Sequence, residues 1–157
     1  MNAKLNFGFS QIIQTHNLAL SNENKEGYLL ADSGFGAYQS GGAKVDTKGE
    51  MKITQIRGDD LIKDTGNMIA IKIDVEGHEY EVLKGSEQVI TSNQPVIMFE
   101  QFPDEFKNGS SKVLDLLKTM GYKKFVVMER SPNFQIKYKI LKIPTPINNI
   151  LNMTGTD

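Results

Sequence analysis

The chain contains no cysteine. That excludes disulfide scaffolds, thiolate zinc sites and cysteine nucleophiles. It also lacks a dominant charge, because 18 Lys and Arg against 19 Asp and Glu leave a net charge of -1. A near-neutral balance gives no electrostatic reason to expect a nucleic-acid or anionic-membrane partner. No apolar run approaches the ~20 residues of a membrane helix, and the N-terminus carries no signal-peptide pattern. The cytoplasm is the expected compartment, where the sequons at Asn108 and Asn152 are coincidental. Proline is missing before Pro95, and all five prolines lie from that position onward. What remains is 157 residues, 39% of them apolar, which fits one domain with a real core.

Eight of the 14 glycines fall between Gly27 and Gly66. A single domain is therefore expected over residues 1–157. It has a loop-rich part (1–66), a regular α/β core (68–143) and a tail (144–157) without periodicity. In the first part, Ile12 to Leu20 reads as a strand ending at Ser21. The polar run Ser21 to Gly27 reads as a turn, and Tyr28 to Ala31 as the next strand. Met51 to Ile56 alternates like a half-exposed strand.

From residue 68 the pattern sharpens. Met68 to Ile73 is a nearly continuous apolar run, typical of a parallel strand buried on both faces. A helix over 78–91 follows, with Tyr80, Val82, Leu83, Val89 and Ile90 as its apolar face. Pro95 to Glu100 is a second buried strand. Ser110 or Ser111 can cap a helix whose apolar positions are Val113, Leu114, Leu117 and Met120, with Gly121 at the C′ position. Lys124 to Glu129 and Gln135 to Ile143 form a hairpin across Ser131-Pro132-Asn133. The order β-α-β-α-β-β is an α/β layer architecture closed by an antiparallel hairpin. In such sheets the working site lies outside the C-terminal strand ends.

Asp74, Glu76 and Glu100 sit at such ends. Two carboxylates and the His78 imidazole crowd the five residues Asp74-Val75-Glu76-Gly77-His78, where Gly77 allows a tight turn from strand to helix. Strand-end acids can take a proton, orient a hydroxyl or hold a cation. The plainer reading has Asp74 capping the turn, with Glu79 and Glu81 complementing the helix dipole. A metal reading would use Asp74, Glu76, His78 and Glu100, an oxygen-rich set. One helical turn cannot aim all four inward, so no metal is expected. His16 reads as structural, and Lys137 and Lys139 as guards of an edge strand. Leu29 to Gly36 imitates a strand entering a glycine-rich cofactor loop. A helix should follow such a loop, and Ala37 to Gly42 is a poor helix, so a connection is expected there.

Lys72-Ile73-Asp74-Val75-Glu76-Gly77-His78-Glu79, then Val82-Leu83-Lys84-Gly85, then Pro95-Val96-Ile97-Met98-Phe99-Glu100 resembles the core signature of FkbM-type methyltransferases. Asn17 to Ser21 with Gly27 resembles that family's third strand and the turn after it. Ile56 to Leu61 resembles its segment before the fourth strand, where Gly58 departs from the pattern. The resemblance covers roughly residues 12 to 130. It implies a partial Rossmann-like sheet, mostly parallel, with the C-terminal antiparallel hairpin. It also implies S-adenosylmethionine as cofactor and O-methylation of a sugar or related hydroxyl-bearing small molecule. Asp74, Glu76, His78 and Glu100 become candidate catalytic residues. Leu20, Ser21 and Asp74 become candidate cofactor contacts.

The same resemblance implies a glycine-rich loop and a ribose-binding acid upstream of the matched part. Neither has a counterpart here, and Met1 to Asn6 resembles the end of the helix after the family's second strand. A fragment or a shortened form is expected, binding the cofactor weakly or not at all when alone. The strand at 68–74 is then an edge, open to the segment at 12–20 or to a second copy of the chain. Two other readings stand beside the enzyme: a non-catalytic remnant or assembly module, and a metal-dependent hydrolase using the same acids.

Overall fold

A computed structural model describes residues 12–30, 44–46, 49, 51–63, 66–107, 109–130 and 136–141. Asp32 to Gly42, the turn at Ser131-Pro132-Asn133 and the tail from Pro144 lie outside the described residues, as do the side chains of Lys137 and Lys139. The elements are β1 (Ala19–Ser21), β2 (Lys25–Leu30), β3 (Lys44–Asp46), β4 (Met51–Arg57), α1 (Gly58–Leu61), β5 (Ala70–Ile73), α2 (Glu79–Gly85), α3 (Glu87–Asn93), β6 (Val96–Phe99), a 3-10 turn (Pro103–Glu105), α4 (Lys112–Thr119), β7 (Phe125–Arg130) and β8 (Ile136–Leu141).

The α/β class holds. Among the described residues the strands fall into three sheets: a four-stranded one ordered β1-β4-β2-β3, and the pairs β5-β6 and β7-β8. β1 with β4 and β5 with β6 are parallel, whereas β2 pairs antiparallel with both β3 and β4. β7 and β8 form the expected hairpin, in register from Phe125↔Leu141 to Arg130↔Ile136.

Three expectations need correction. The strand expected over 12–20 is only Ala19–Ser21, paired with Gln55–Arg57. Backbone polar groups need a ladder partner to stay extended. Beyond those three positions none is present among the described residues, and Ile12 is 74% exposed. The strand expected from Met68 to Ile73 starts at Ala70 and is buried on one face only. Ile71, Ile73, Ile97 and Phe99 join the core, while Ala70, Lys72, Val96 and Met98 are exposed. The helix expected over 78–91 is two helices that meet at Ser86. The Ser86 hydroxyl donates to the Val82 carbonyl at 2.8 Å and its N–H to the Leu83 carbonyl at 3.1 Å. The first amides of α3 are thereby orphaned, and Asp59 of α1 accepts one of them, the Val89 N–H, at 3.0 Å.

α4 follows its sequence closely. Ser111, of the two serines, accepts the Leu114 N–H at 3.2 Å. At the other end Gly121 (φ 94) lets its N–H reach the Lys118 carbonyl and that of Tyr122 reach Leu117. These two bonds make the Schellman closure of a helix C-terminus. Val113, Leu114, Leu116, Leu117 and Met120 then meet Val82, Leu83 and Ile90, with Ile73 and Phe125, in one core. Each such side chain stabilises the fold by roughly 1.5–3 kcal/mol through burial.

Candidate functional site

β5 and β6 run parallel with Ile73 opposite Phe99, so the residues that follow each strand, Asp74 and Glu100, leave the sheet side by side. The chain then reverses through two positive-φ residues, Glu76 (φ 53) and Gly77 (φ 94), before α2. A Cβ at Gly77 would meet nothing within 4 Å, so backbone conformation alone selects glycine there. This turn carries Glu76 back toward the two strand ends. One carboxylate oxygen from each of Asp74, Glu76 and Glu100 lies within 4.8 Å of the others. Asp74 and Glu100 are exposed and Glu76 half-buried. Lys72, two residues before Asp74 and on the same strand face, donates to its carboxylate.

His78 does not join that group. Its Nε2 lies 3.1 Å from the hydroxyl of buried Ser21 at the end of β1, and its Nδ1 3.7 Å from the Glu81 carboxylate. Burial pushes the His78 pKa below the ordinary histidine value, against the opposing pull of Glu81 and Glu79, so the ring is neutral at pH 7. A four-ligand metal set that includes His78 is therefore not assembled. Three of the four candidate catalytic residues converge, and the fourth ties β1 to α2 through a candidate cofactor contact, Ser21. The tie is close in the backbone as well: a Cβ at Gly85 would fall 1.8 Å from the Ser21 carbonyl oxygen.

Between β1 and β5 lies a mainly apolar cleft of about 670 Å³. Leu20, Ile71 and Val75 line its walls, and Asp74 and His78 supply polar groups. Small-molecule sites are commonly of this size and character. Asp74 thus belongs both to the cleft and to the carboxylate group.

Sequence reasoning missed Glu79 and Asp59. Glu79 is 2% exposed, and its Oε1 accepts the Val75 and Gly77 N–H groups, each at 3.4 Å. Its position in the first helical turn, two residues after a turn glycine, was the available signal. Asp59, salt-bridged to Arg57 at 3.0 Å, caps a helix 30 residues away and had no local signature.

The chain matches the methyltransferase FkbM domain model over residues 6–124. It is also similar to the hexuronic acid methyltransferase AglP of Haloferax volcanii, at 43% identity over 61 residues. That alignment covers 38% of this chain and 26% of AglP, about a quarter of the relative's length. No solved structure matches the chain significantly. With a family model covering most of its length and the D-x-E-G-x-E turn built as described, the chain belongs to the FkbM methyltransferase family.

Proposed function

We propose that this chain serves methyl transfer from S-adenosylmethionine to a hydroxyl of a sugar or related small molecule, at the cleft beside the ends of β5 and β6. The observation that carries the reading is the convergence of Asp74, Glu76 and Glu100 beside an apolar cleft that Asp74 also lines. Membership of the family and the similarity to AglP, a hexuronic acid methyltransferase, support it. The residues present suit the donor. Leu20 and Val75 offer apolar surface to an adenine ring, and clustered carboxylates attract a sulfonium cation. When bound, S-adenosylmethionine supplies an electrophilic methyl group.

The remaining work belongs to the protein's own side chains. Asp74 faces the methyl and the acceptor. Glu76 or Glu100 accepts the one hydrogen bond the acceptor hydroxyl donates, aligns its oxygen and takes its proton on a carboxylate oxygen. The Nε2 of His78 already partners the Ser21 hydroxyl, so its part is to hold Ser21 and the end of β1 against the cleft. The test is calorimetric titration with S-adenosylhomocysteine, followed by methyl-transfer assays on sugar acceptors. Asp74→Asn and Glu100→Gln are expected to lower turnover by about 100-fold while unfolding midpoints stay close to wild type. Wild-type turnover in both variants would return these acids to turn-capping roles.

A second reading is favoured by one observation. Among the described residues β5 pairs only with β6, so its other edge is open to another chain. In this reading the chain is an assembly module that pairs with a second copy along β5. Sedimentation would show a dimer that Ile71→Pro dissolves, and a monomer at all concentrations would remove the reading.

A further inference from the structure

We propose that Glu79 is a positioning residue for the acidic site: its buried carboxylate clamps the turn that brings Asp74, Glu76 and Glu100 together. The proposal rests on the methyl-transfer reading for its functional consequence, but its structural basis is separate. Glu76 carries a Cβ and still adopts φ 53. Residues with side chains avoid this region and persist there only when their surroundings leave no alternative. The residues on either side of Glu76 are Val75 and Gly77. Both direct their N–H groups at the same Oε1 of Glu79, which sits 2% exposed as the first residue of α2. A buried carboxylate is costly without donors, and these two amides supply them. The same contacts hold the Asp74–Val75 and Glu76–Gly77 peptide units, the second of which directly follows Glu76.

The clamp has a consequence for the site. Three carboxylates with oxygens within 4.8 Å repel one another when ionised. A loose turn would let Glu76 swing away from Asp74 and Glu100 and relieve that repulsion. Anchoring Val75 and Gly77 to Glu79 removes this escape, so the group keeps its spacing and stays ready to engage a cationic or proton-bearing ligand. Glu79 touches neither the cleft nor the carboxylate group, and it acts through the backbone of the turn.

The experiment compares Glu79→Gln and Glu79→Asp in the full chain. Gln keeps the reach and an acceptor oxygen but loses the charge, whereas Asp keeps the charge and loses the reach. The proposal expects Gln to retain wild-type amide exchange at Val75 and Gly77. Asp is expected to speed that exchange by roughly tenfold, the fold-change that follows loss of one such hydrogen bond. In turnover, Asp is expected to lower kcat by up to about 100-fold with little change in KM, and Gln to restore most of it. Any pattern in which Gln does not outperform Asp in amide exchange overturns the clamp. If the wild-type chain transfers no methyl group, the methyl-transfer reading falls while the exchange comparison still decides the role of Glu79. If exchange follows the proposal and kcat does not, Glu79 holds the turn without serving the reaction, and its assignment as a positioning residue is overturned.

Discussion

The helical layer and the outer face of the β5-β6 sheet both carry apolar residues and are treated oppositely by the fold. Leu83 and Ile90 are 0% exposed, whereas Val96 is 73% and Met98 41% exposed. The helices meet one another, β5 and β7 along a continuous seam. Across the sheet, the alternating residues Ala70, Val96 and Met98 face away from that seam with no described layer over them. Hydrophobicity alone therefore does not report burial here. What matters is whether a second element stands opposite, because burial stabilises in proportion to area removed from water.

The largest expected effect would break this contrast directly. Leu83→Ala should cost about 2–5 kcal/mol, as cavity-forming substitutions in closed cores do. Val96→Ala should stay within about 0.5 kcal/mol. Urea unfolding of both variants measures the difference, and similar midpoints would mean that the outer face is covered in solution.

A somewhat smaller effect sharpens the same boundary where α2 meets β1. Gly85→Ala puts a Cβ 1.8 Å from the backbone oxygen of Ser21, an atom that cannot rotate away. An overpacking cost of about 1–3 kcal/mol is expected. Gly27→Ala places its Cβ 1.9 Å from the end of the Gln55 side chain, which can move, so its cost should be lower. Thermal melting of the two variants ranks them, and a reversed order would mean that β1 yields more readily than the Gln55 side chain.

The smallest expected effect is a pH dependence at the joint between the two regions. The folded-state pKa of His78 is lowered by burial, opposed by Glu81 and Glu79 and assisted by Lys25. The unfolded chain therefore binds a proton on His78 at a higher pH than the folded chain does. The contribution of this group is intact above its ordinary value of about 6.5 and is lost as pH falls below it. His78→Gln should flatten the fall in stability as pH drops below about 6.5. An unchanged slope there would mean that His78 titrates alike in both states.

Much of this molecule was readable from local spacing. The Ser111 cap, the apolar rows of α4 and the Gly121 closure involve partners three to five residues apart, so the sequence carries cap, face and stop together. The two parallel strands, their acids at the C-terminal ends and the β7-β8 hairpin were legible from apolar runs and turn residues instead. The number of buried faces was not, because a nearly continuous apolar run looks the same whether one side or both are covered.

What only the tertiary structure decided are the contacts that join distant parts. Ser21 and His78 are 57 residues apart, and Asp59 and Val89 are 30. Neither pair has a periodic signature, since each exists only once β1 lies on α2 and α1 lies on α3. Within the motif itself, the sequence determined that Asp74, Glu76, His78 and Glu79 would stand together at a strand-to-helix turn. The backbone decided their separate employments. The positive φ of Glu76 and Gly77 turns Glu76 toward Asp74 and Glu100, while the start of α2 directs His78 to Ser21 and buries Glu79 beneath the turn. Side-chain chemistry is a local property of the sequence, but the direction in which it points is set by dihedral angles that long-range packing holds in place.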